Sequence, residues 1–526
     1  MLGQRRKVYI VSDLHLGGAA PTSPGERGFQ ICTQTAQLAE FIDHLALGDP
    51  SGAAVEHELV INGDFVDFLA EPTTDTATGA AGWTPLREDA EIAAQLLLTV
   101  VSRCPEVFAA LRRFVQNGHT LTVLLGNHDI ELAYPQVRRV LQEQLGVPSH
   151  VGLRFVYDGE AYAIGDALIE HGNRYDSWNA IDYDALRRVC SLQSRGQAIP
   201  AGLRLPPPAG SQLVAEVMNP IKRSYPFIDL LKPESTAAVP LLLALEPGSR
   251  KLIAPLAKLA IKASDHKLGT PALPTRSGDI SAAPRGERSP TVGGELGFRT
   301  GSSDGEAELR AVLGEALGGE QAGQFLSLLG PGEDARLRDG GLVTRGGERG
   351  DIAARPLGLD RAVERESSWT GRLSWLKLIL SSSSNSDGRL RALQGALRAF
   401  CDPSLFEMDQ SPPQEPLYRA AQELAKLGRY RYIVMGHTHL ARDLPLATGG
   451  RYLNSGTWAD LMRVPDEVFS PMPGIAEAAL RQLVSDLSDR RYQGLIMQRP
   501  TYVRLELVND KVVSASVETY RSGAPV

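Results

Sequence analysis

The chain is sparing in cysteine. Its four thiols, Cys32, Cys104, Cys190 and Cys401, are scattered over 526 residues and form no CxxC pair. A disulfide framework is therefore not encoded, and reduced thiols of a cytosolic compartment are expected. No uninterrupted apolar run is long enough to span a bilayer. The opening Met-Leu-Gly-Gln-Arg-Arg-Lys runs into a strand at Val8 without the apolar region of a signal peptide, so a cytoplasmic location is expected. Positive charge is not in excess either. Lys and Arg number 55 against 62 Asp and Glu, a formal net charge of -7, which argues against a general nucleic-acid binder. There is no internal repeat. What remains is 43% apolar and 22% charged, as in a soluble globular protein, and longer than one ordinary core requires.

The first third alternates strand and helix patterns. Short β-rich runs at Lys7 to Ser12, Glu58 to Asn62 and Thr120 to Leu125 are separated by helical spacing at Thr33 to Leu47, Ala90 to Val101 and Pro105 to Gln116. This predicts an α/β fold whose sheet is covered on both faces, with function at the carboxyl ends of the strands. Leu153 to Tyr157 and Ala161 to Glu170 read as two further strands joined at Asp158-Gly159. Tyr432 to Met435 reads as another. Arg451 to Ser455, Thr501 to Asn509 and Val512 to Tyr520 read as late antiparallel strands, the last two joined by an Asn509-Asp510 turn.

Five short pieces stand just past strand ends. They are Asp13-Leu14-His15, Gly63-Asp64-Phe65-Val66-Asp67, Gly126-Asn127-His128-Asp129, His171-Gly172 and Gly436-His437-Thr438-His439. Each alone has an ordinary structural reading, as a turn, a helix cap or a buried histidine. Together they supply carboxylate oxygen, amide oxygen and imidazole nitrogen, the donors that divalent metals accept. In Asp13-x-His15 and His437-x-His439 the two-residue spacing puts both side chains on one side of an extended chain. Gly63 allows close backbone approach. Asp67 reads as a residue that supports the ligands from behind or caps the loop, rather than as a ligand, and His44, His57, His119, His150 and His266 have no motif context.

In this order the five pieces resemble the calcineurin-like metallophosphoesterase superfamily, over roughly the first 180 and the last 120 residues. The resemblance implies an αββα four-layer β-sandwich flanked by helices. It implies two divalent ions, with manganese first and iron, zinc, cobalt or nickel compatible. Asp64 would bridge both ions. Asp13, His15 and His439 would complete one site, and Asn127, His171 and His437 the other. Two ions about 3.5–4 Å apart polarise a phosphoryl group and hold a hydroxide at neutral pH, and in-line attack by that hydroxide is the family's chemistry. His128 would act as general acid, with Asp129 orienting its ring. Arg174, in the polar and aromatic segment after His171, would hold a substrate phosphate or carboxylate through its planar fork, or else belong to a loop-to-helix junction capped by Asp176 or Ser177.

Departures narrow the class. Protein Ser/Thr phosphatases carry Arg-Gly after the second aspartate and Glu after the Asn-His pair. Here Asp67 precedes Phe68-Leu69, and the pair precedes Asp129. The ending Gly-His-Thr-His and the opening Ser12-Asp13-Leu14-His15-Leu16-Gly17 look like bacterial UDP-2,3-diacylglucosamine pyrophosphohydrolases. Those enzymes are shorter and carry Arg where this chain has His128.

The expected organisation is a discontinuous catalytic domain, residues 1–185 and 405–526, interrupted by a mostly helical insertion at 186–404 with linkers near 264–305 and 330–358. Ser191 to Lys262 holds nine Lys/Arg against four acids, and apolar runs at Val239 to Leu245, Leu252 to Ile261 and Trp369 to Leu380 lie beside basic residues. Such faces suit an amphiphilic substrate or a peripheral membrane contact, or they pack on the catalytic domain. The expected partner is a phosphorylated small-molecule or amphiphilic substrate. A nuclease of the same superfamily and a non-catalytic metal-binding scaffold are the alternatives. The acidic balance speaks against the first and the intact His128 against the second.

Overall fold

The computed structural model describes residues 5–19, 28–48, 55–74, 81–147, 152–231 apart from 177 and 224, part of 390–398, 406–409 and 415–523. All belong to one compact unit built from residues 1–252 and 356–526. The linkers, the apolar runs at 239–245, 252–261 and 369–380, Cys401 and Ser177 lie outside the described residues.

The chain is a mixed α/β structure. In order it runs β1 (Arg5–Val11), α1 (Thr35–Ala46), β2 (Val55–Asn62), a small hairpin of β3 (Thr73–Thr74) and β4 (Ala81–Gly82), α2 (Ala90–Arg103), α3 (Pro105–Gln116), β5 (Thr120–Leu124), α4 (Pro135–Leu145) and β6 (Leu153–Val156). Then come β7 (Tyr162–Ile164), β8 (Ala167–Ile169), α5 (Tyr183–Ser194), α6 (Ala209–Leu213) and α7 (Asn219–Lys222). The last part holds α8 (Pro416–Lys426), β9 (Tyr432–Met435), β10 (Arg442–Pro445), β11 (Arg451–Asn454), β12 (Leu461–Met462), α9 (Pro473–Ser488), β13 (Ile496–Met497), β14 (Thr501–Val508) and β15 (Lys511–Thr519).

Two mixed sheets carry the architecture. One has the order β15-β14-β1-β2-β5-β6 and the other β10-β11-β9-β8-β7. Strands β1, β2, β5 and β6 are parallel, and so are β8, β9 and β11. Consecutive apolar residues, as in 8–11 of β1, 59–61 of β2 and 433–435 of β9, occur where both faces are covered, and the polar Glu58 of β2 and Thr122 of β5 are buried among them. Tyr9, Val11, Leu59, Ile61, Leu121 and Val123 pack on α1, α3 and α4. The alternate residues Val8, Ile10, Val60 and Leu124 share a cluster with Ile164, Ala167, Ile169, Val434 and Leu453 of the second sheet. That sheet's other face, with Leu168, Ile433, Met435 and Tyr452, packs on α8. Period-two alternation thus builds three apolar layers from short strands.

Two sequence expectations change. Ala161 to Glu170 is not one strand but the hairpin β7–β8, because Gly165, at φ +58°, turns the chain before Asp166. Asp158-Gly159 consequently carries the chain from the first sheet to the second. Strand β11 is antiparallel to β10 but parallel to β9. Ser211 to Met218 is a short α-turn passing into a π-helical turn at Val214–Met218. The β14–β15 hairpin forms as expected, with Asn509 and Asp510 both at positive φ in its turn. Among the described residues no single helix is long and apolar enough to cross a membrane.

Candidate metal centre

The carboxyl ends of the parallel strands of both sheets converge. Asp13 follows β1, Asp64 follows β2, Asn127 follows β5, His171 follows β8 and His437 follows β9. Backbone hydrogen bonds lace these loops together. Asp13 N–H donates to the Gly63 carbonyl (3.1 Å), His15 N–H to that of Asp64 (2.9 Å), and Gly436 N–H to that of His171 (2.9 Å). Gly63 is needed at this seam. It sits at φ +81°, and a Cβ there would meet the His171 ring at 2.4 Å.

Donor atoms come together in overlapping groups. Asp13, His15 and His439 form one, Asp64, His171 and His437 form another, and His15, Asp67 and His128 form a third that shares His15 with the first; within each, the donor atoms lie within 4.8 Å of one another. The His15 and His439 Nε2 atoms are 3.0 Å apart, and His439 Nε2 is 3.3 Å from Asp13 Oδ1. Asp64 Oδ2 stands 3.3 Å from His171 Nε2 and 3.7 Å from His15 Nε2, so this carboxylate touches the first two groups. Asn127 is buried beside them.

The backbone is strained where these side chains attach. Asp13, His15, Asp64, His437 and His439 all lie at positive φ, between +44° and +69°. The other non-glycine residues at positive φ among those described are Arg490, Asn509 and Asp510. A left-handed L-residue costs of order 1 kcal/mol or more and persists only where the surroundings enforce it. Five of them in one place mark a constellation that the fold holds against local preference.

Charge points the same way. Asp13, Asp64 and Asp67 are essentially buried, and among the described residues their ion-pair partners are histidines. Burial works to raise the Asp64 carboxyl, but the charges of His171 and His128 hold it well below the usual carboxylate range. Burial also opposes a charged His171, yet the adjoining Asp64 carboxylate outweighs it and holds the imidazole up to about 10. Buried anions with so few cations are costly. Asp13 Oδ1, His15 Nδ1, Asn127 Oδ1 and His171 Nε2 are buried and make no hydrogen bond. His171 donates its Nδ1–H to the Asn62 carbonyl (2.8 Å), so Nε2, which faces Asp64 at 3.3 Å, carries the proton held there in the metal-free chain and is the nitrogen free for a metal once that proton leaves. Oxygen and imidazole donors of this kind fit divalent cations, so the residues present fit the metals that the sequence implied.

No family model, curated protein or solved structure matches the chain.

His128 and its partner differ from expectation. The carboxylate on His128 Nδ1 is Asp67, at 3.1 Å, and not Asp129. Asp129 accepts from the Phe65 N–H (2.7 Å) and from the Gly126 N–H (2.6 Å). Both its oxygens are thereby given to backbone, so it braces the loops that carry Asp64 and Asn127. Burial and the neighbouring Asp64 charge push its carboxyl up to about 7, against the pull of those two N–H donors. Asp67 also caps the turn at Phe68–Ala70, accepting from the Ala70 N–H at 3.1 Å, and its Oδ2 lies 3.5 Å from His15 Nδ1. His128 is about one-fifth exposed, more than His15, His171, His437 or His439.

Arg174 is engaged by the chain itself. Its guanidinium reaches Glu170 (3.2 Å) and the Gly159 carbonyl, and it lies over the Tyr183 ring. Sequence reasoning passed over Asn454, the last residue of β11, and Thr457 just after it. Asn454 donates to the Gly436 carbonyl (2.7 Å) and Thr457 to the Asp13 carbonyl (2.6 Å). Their signal was close to that of the five pieces, polar residues at or just past the end of a strand. Among the non-motif histidines, His57 Nδ1 and His119 Nε2 meet the Leu45 and Ala46 carbonyls at the end of α1 and His44 meets Tyr520, while His150 and His266 lie outside the described residues.

Proposed function

We propose that this chain is a dimetal phosphoesterase of the calcineurin-like metallophosphoesterase superfamily, with its two facing sheets as the inner layers of that αββα sandwich. The reading rests on one observation above the others. Six donor residues from both sheets, Asp13, His15, Asp64, His171, His437 and His439, converge in two groups that share contact with one carboxylate. Asp13, His15, Asp64 and His439 would hold one ion, and Asp64, Asn127, His171 and His437 the other, with manganese the first metal to try. Bound ions would supply Lewis acidity to a phosphoryl oxygen and make water acidic enough to serve as nucleophile.

The chain's own residues supply the rest. The substrate phosphoryl group enters from the side of His128, the most exposed imidazole of the cluster. With Nδ1 on Asp67, His128 presents Nε2–H outward, where it donates a proton to the leaving oxygen. The Asp67 carboxylate stabilises the imidazolium that carries that proton. On this reading the substrate is a small or amphiphilic phosphate ester or pyrophosphate, and we read the protein as cytoplasmic, free or at the membrane periphery.

The test is turnover of a nitrophenyl phosphate monoester and of its bis-nitrophenyl diester by Mn-loaded protein, beside Asp64→Asn and His128→Ala. Mn-dependent hydrolysis abolished in Asp64→Asn is expected, with the preferred ester naming the bond class. Two bound metals without turnover of these esters or of nucleotide-linked and lipid-linked pyrophosphates would overturn the enzyme in favour of a scaffold. Salt-sensitive binding and cutting of DNA or RNA would replace the small substrate with a nucleic acid.

A further inference from the structure

The segment after His171 folds back over the second proposed ion site in a chain of hydrogen bonds. His437 Nε2 lies 3.1 Å from Asp176 Oδ2. Asn179 Nδ2 donates to the same oxygen at 2.7 Å, and Asn127 Nδ2 donates to Asn179 Oδ1 at 3.3 Å. A carboxylate only accepts, so this chain has a direction. Asp176 requires N–H from both neighbours. His437 must then carry its proton on Nε2, which leaves Nδ1 as a lone pair. Asn179 must turn its amide nitrogen to Asp176 and its oxygen to Asn127. Asn127 must answer with its own amide nitrogen, and so its Oδ1, buried and without a hydrogen bond, faces away from Asn179.

We infer that Asp176 and Asn179 are positioning residues. Together they set the His437 tautomer and the Asn127 amide orientation so that both present a lone pair to one divalent cation. This rests on the dimetal reading above and goes beyond it, since it assigns residues that touch no metal. The relay is locked from outside. Trp178 N–H donates to Asp176 Oδ1 (2.9 Å), and Asn173 Nδ2 to the Asn179 carbonyl (3.0 Å). Gly210 packs so closely that a Cβ there would stand 2.1 Å from Asn179 Oδ1, and its N–H donates to the Trp178 carbonyl (2.7 Å). The described start of the insertion thereby presses on the relay. Asn127 and His437, which belong to loops from different sheets, are oriented by one carboxylate.

The experiment is a manganese titration of the full chain, counting bound ions by elemental analysis and following the spin-coupled pair by electron paramagnetic resonance. The metal-free unfolding temperature serves as a fold control. Asn179→Leu and Asp176→Leu are each expected to weaken one ion by about 10- to 100-fold, the usual loss for a partner that orients a ligand. The other ion should bind as in the wild type, with the coupled signal replaced by that of isolated Mn. His15→Ala, a ligand of the other site, should leave the opposite ion. Two ions bound with unchanged affinity in both leucine variants would overturn the relay. So would loss of both ions together with a lowered metal-free unfolding temperature, which would assign Asn179 and Asp176 to the fold. A wild-type chain that binds no manganese would instead defeat the dimetal reading itself, and the relay with it.

Discussion

The Asp67 carboxylate holds Nδ1 of His128 at 3.1 Å and approaches Nδ1 of His15 at 3.5 Å. One acid thus faces the ring proposed to meet the substrate and a ring proposed to meet a metal. Replacing His128 by Ala should lower kcat by about 10²- to 10⁴-fold, the usual range for a general acid. Asp67→Asn should cost about 10- to 100-fold. The double variant should be no slower than His128→Ala, because the two act as one unit. Steady-state rates of the three, with metal content measured in each, check this.

Asp129 gives a contrasting expectation. Its two oxygens serve the Phe65 and Gly126 N–H groups, and an amide in its place offers one acceptor where two are needed. Asp129→Asn should destabilise the metal-free protein by about 1–3 kcal/mol in urea unfolding. The rate of the metal-saturated variant should fall less than in His128→Ala. A larger fall would return the ring-orienting role to Asp129.

Protons and metals compete for His171. Its pKa is raised to about 10 in the folded, metal-free chain, from an ordinary 6.5. The stability that this gives is therefore complete below about 6.5 and is lost as pH rises towards 10. Asp64 is lowered, so its contribution is present above about 3.8 and lost as pH falls below that value. The metal-free protein should hence lose stability between pH 7 and 9. Mn binding, which needs neutral imidazole, should strengthen with a proton released. The gap in unfolding temperature between loaded and metal-free protein should widen from pH 6.5 to pH 9 in thermal scans.

Gly126 touches the shared carboxylate. A Cβ at this position would fall 2.0 Å from Asp64 Oδ1 and 2.4 Å from the Asp64 nitrogen, so Gly126→Ala must displace Asp64. Because Asp64 contacts both donor groups, affinity for both ions should drop by at least about 10-fold. Loss confined to one ion, read by equilibrium dialysis, would refute the shared position of Asp64.

Much of this was present in the order of residues alone. Short runs rich in apolar residues, with Asp, Asn or His just past their ends, identified β1, β2, β5 and β9 and the residues behind them, because a strand buried on both faces is largely apolar and the chain changes character abruptly at its end. Pro105 at the start of α3 and the Asn509-Asp510 turn are local rules of the backbone, and local rules need no partner. What only the tertiary structure decided are pairings between distant segments. Asp67, not its nearer neighbour Asp129, meets His128, since the Asn127–Asp129 turn aims Asp129 inward at two backbone amides. Arg174 is taken by Glu170 and Gly159 because the β7–β8 hairpin brings that loop beside it. The Asn127–Asn179–Asp176–His437 chain joins residues from both sheets. Spacing along a chain sets where a side chain can point, but which donor meets which acceptor depends on how the sheets are apposed.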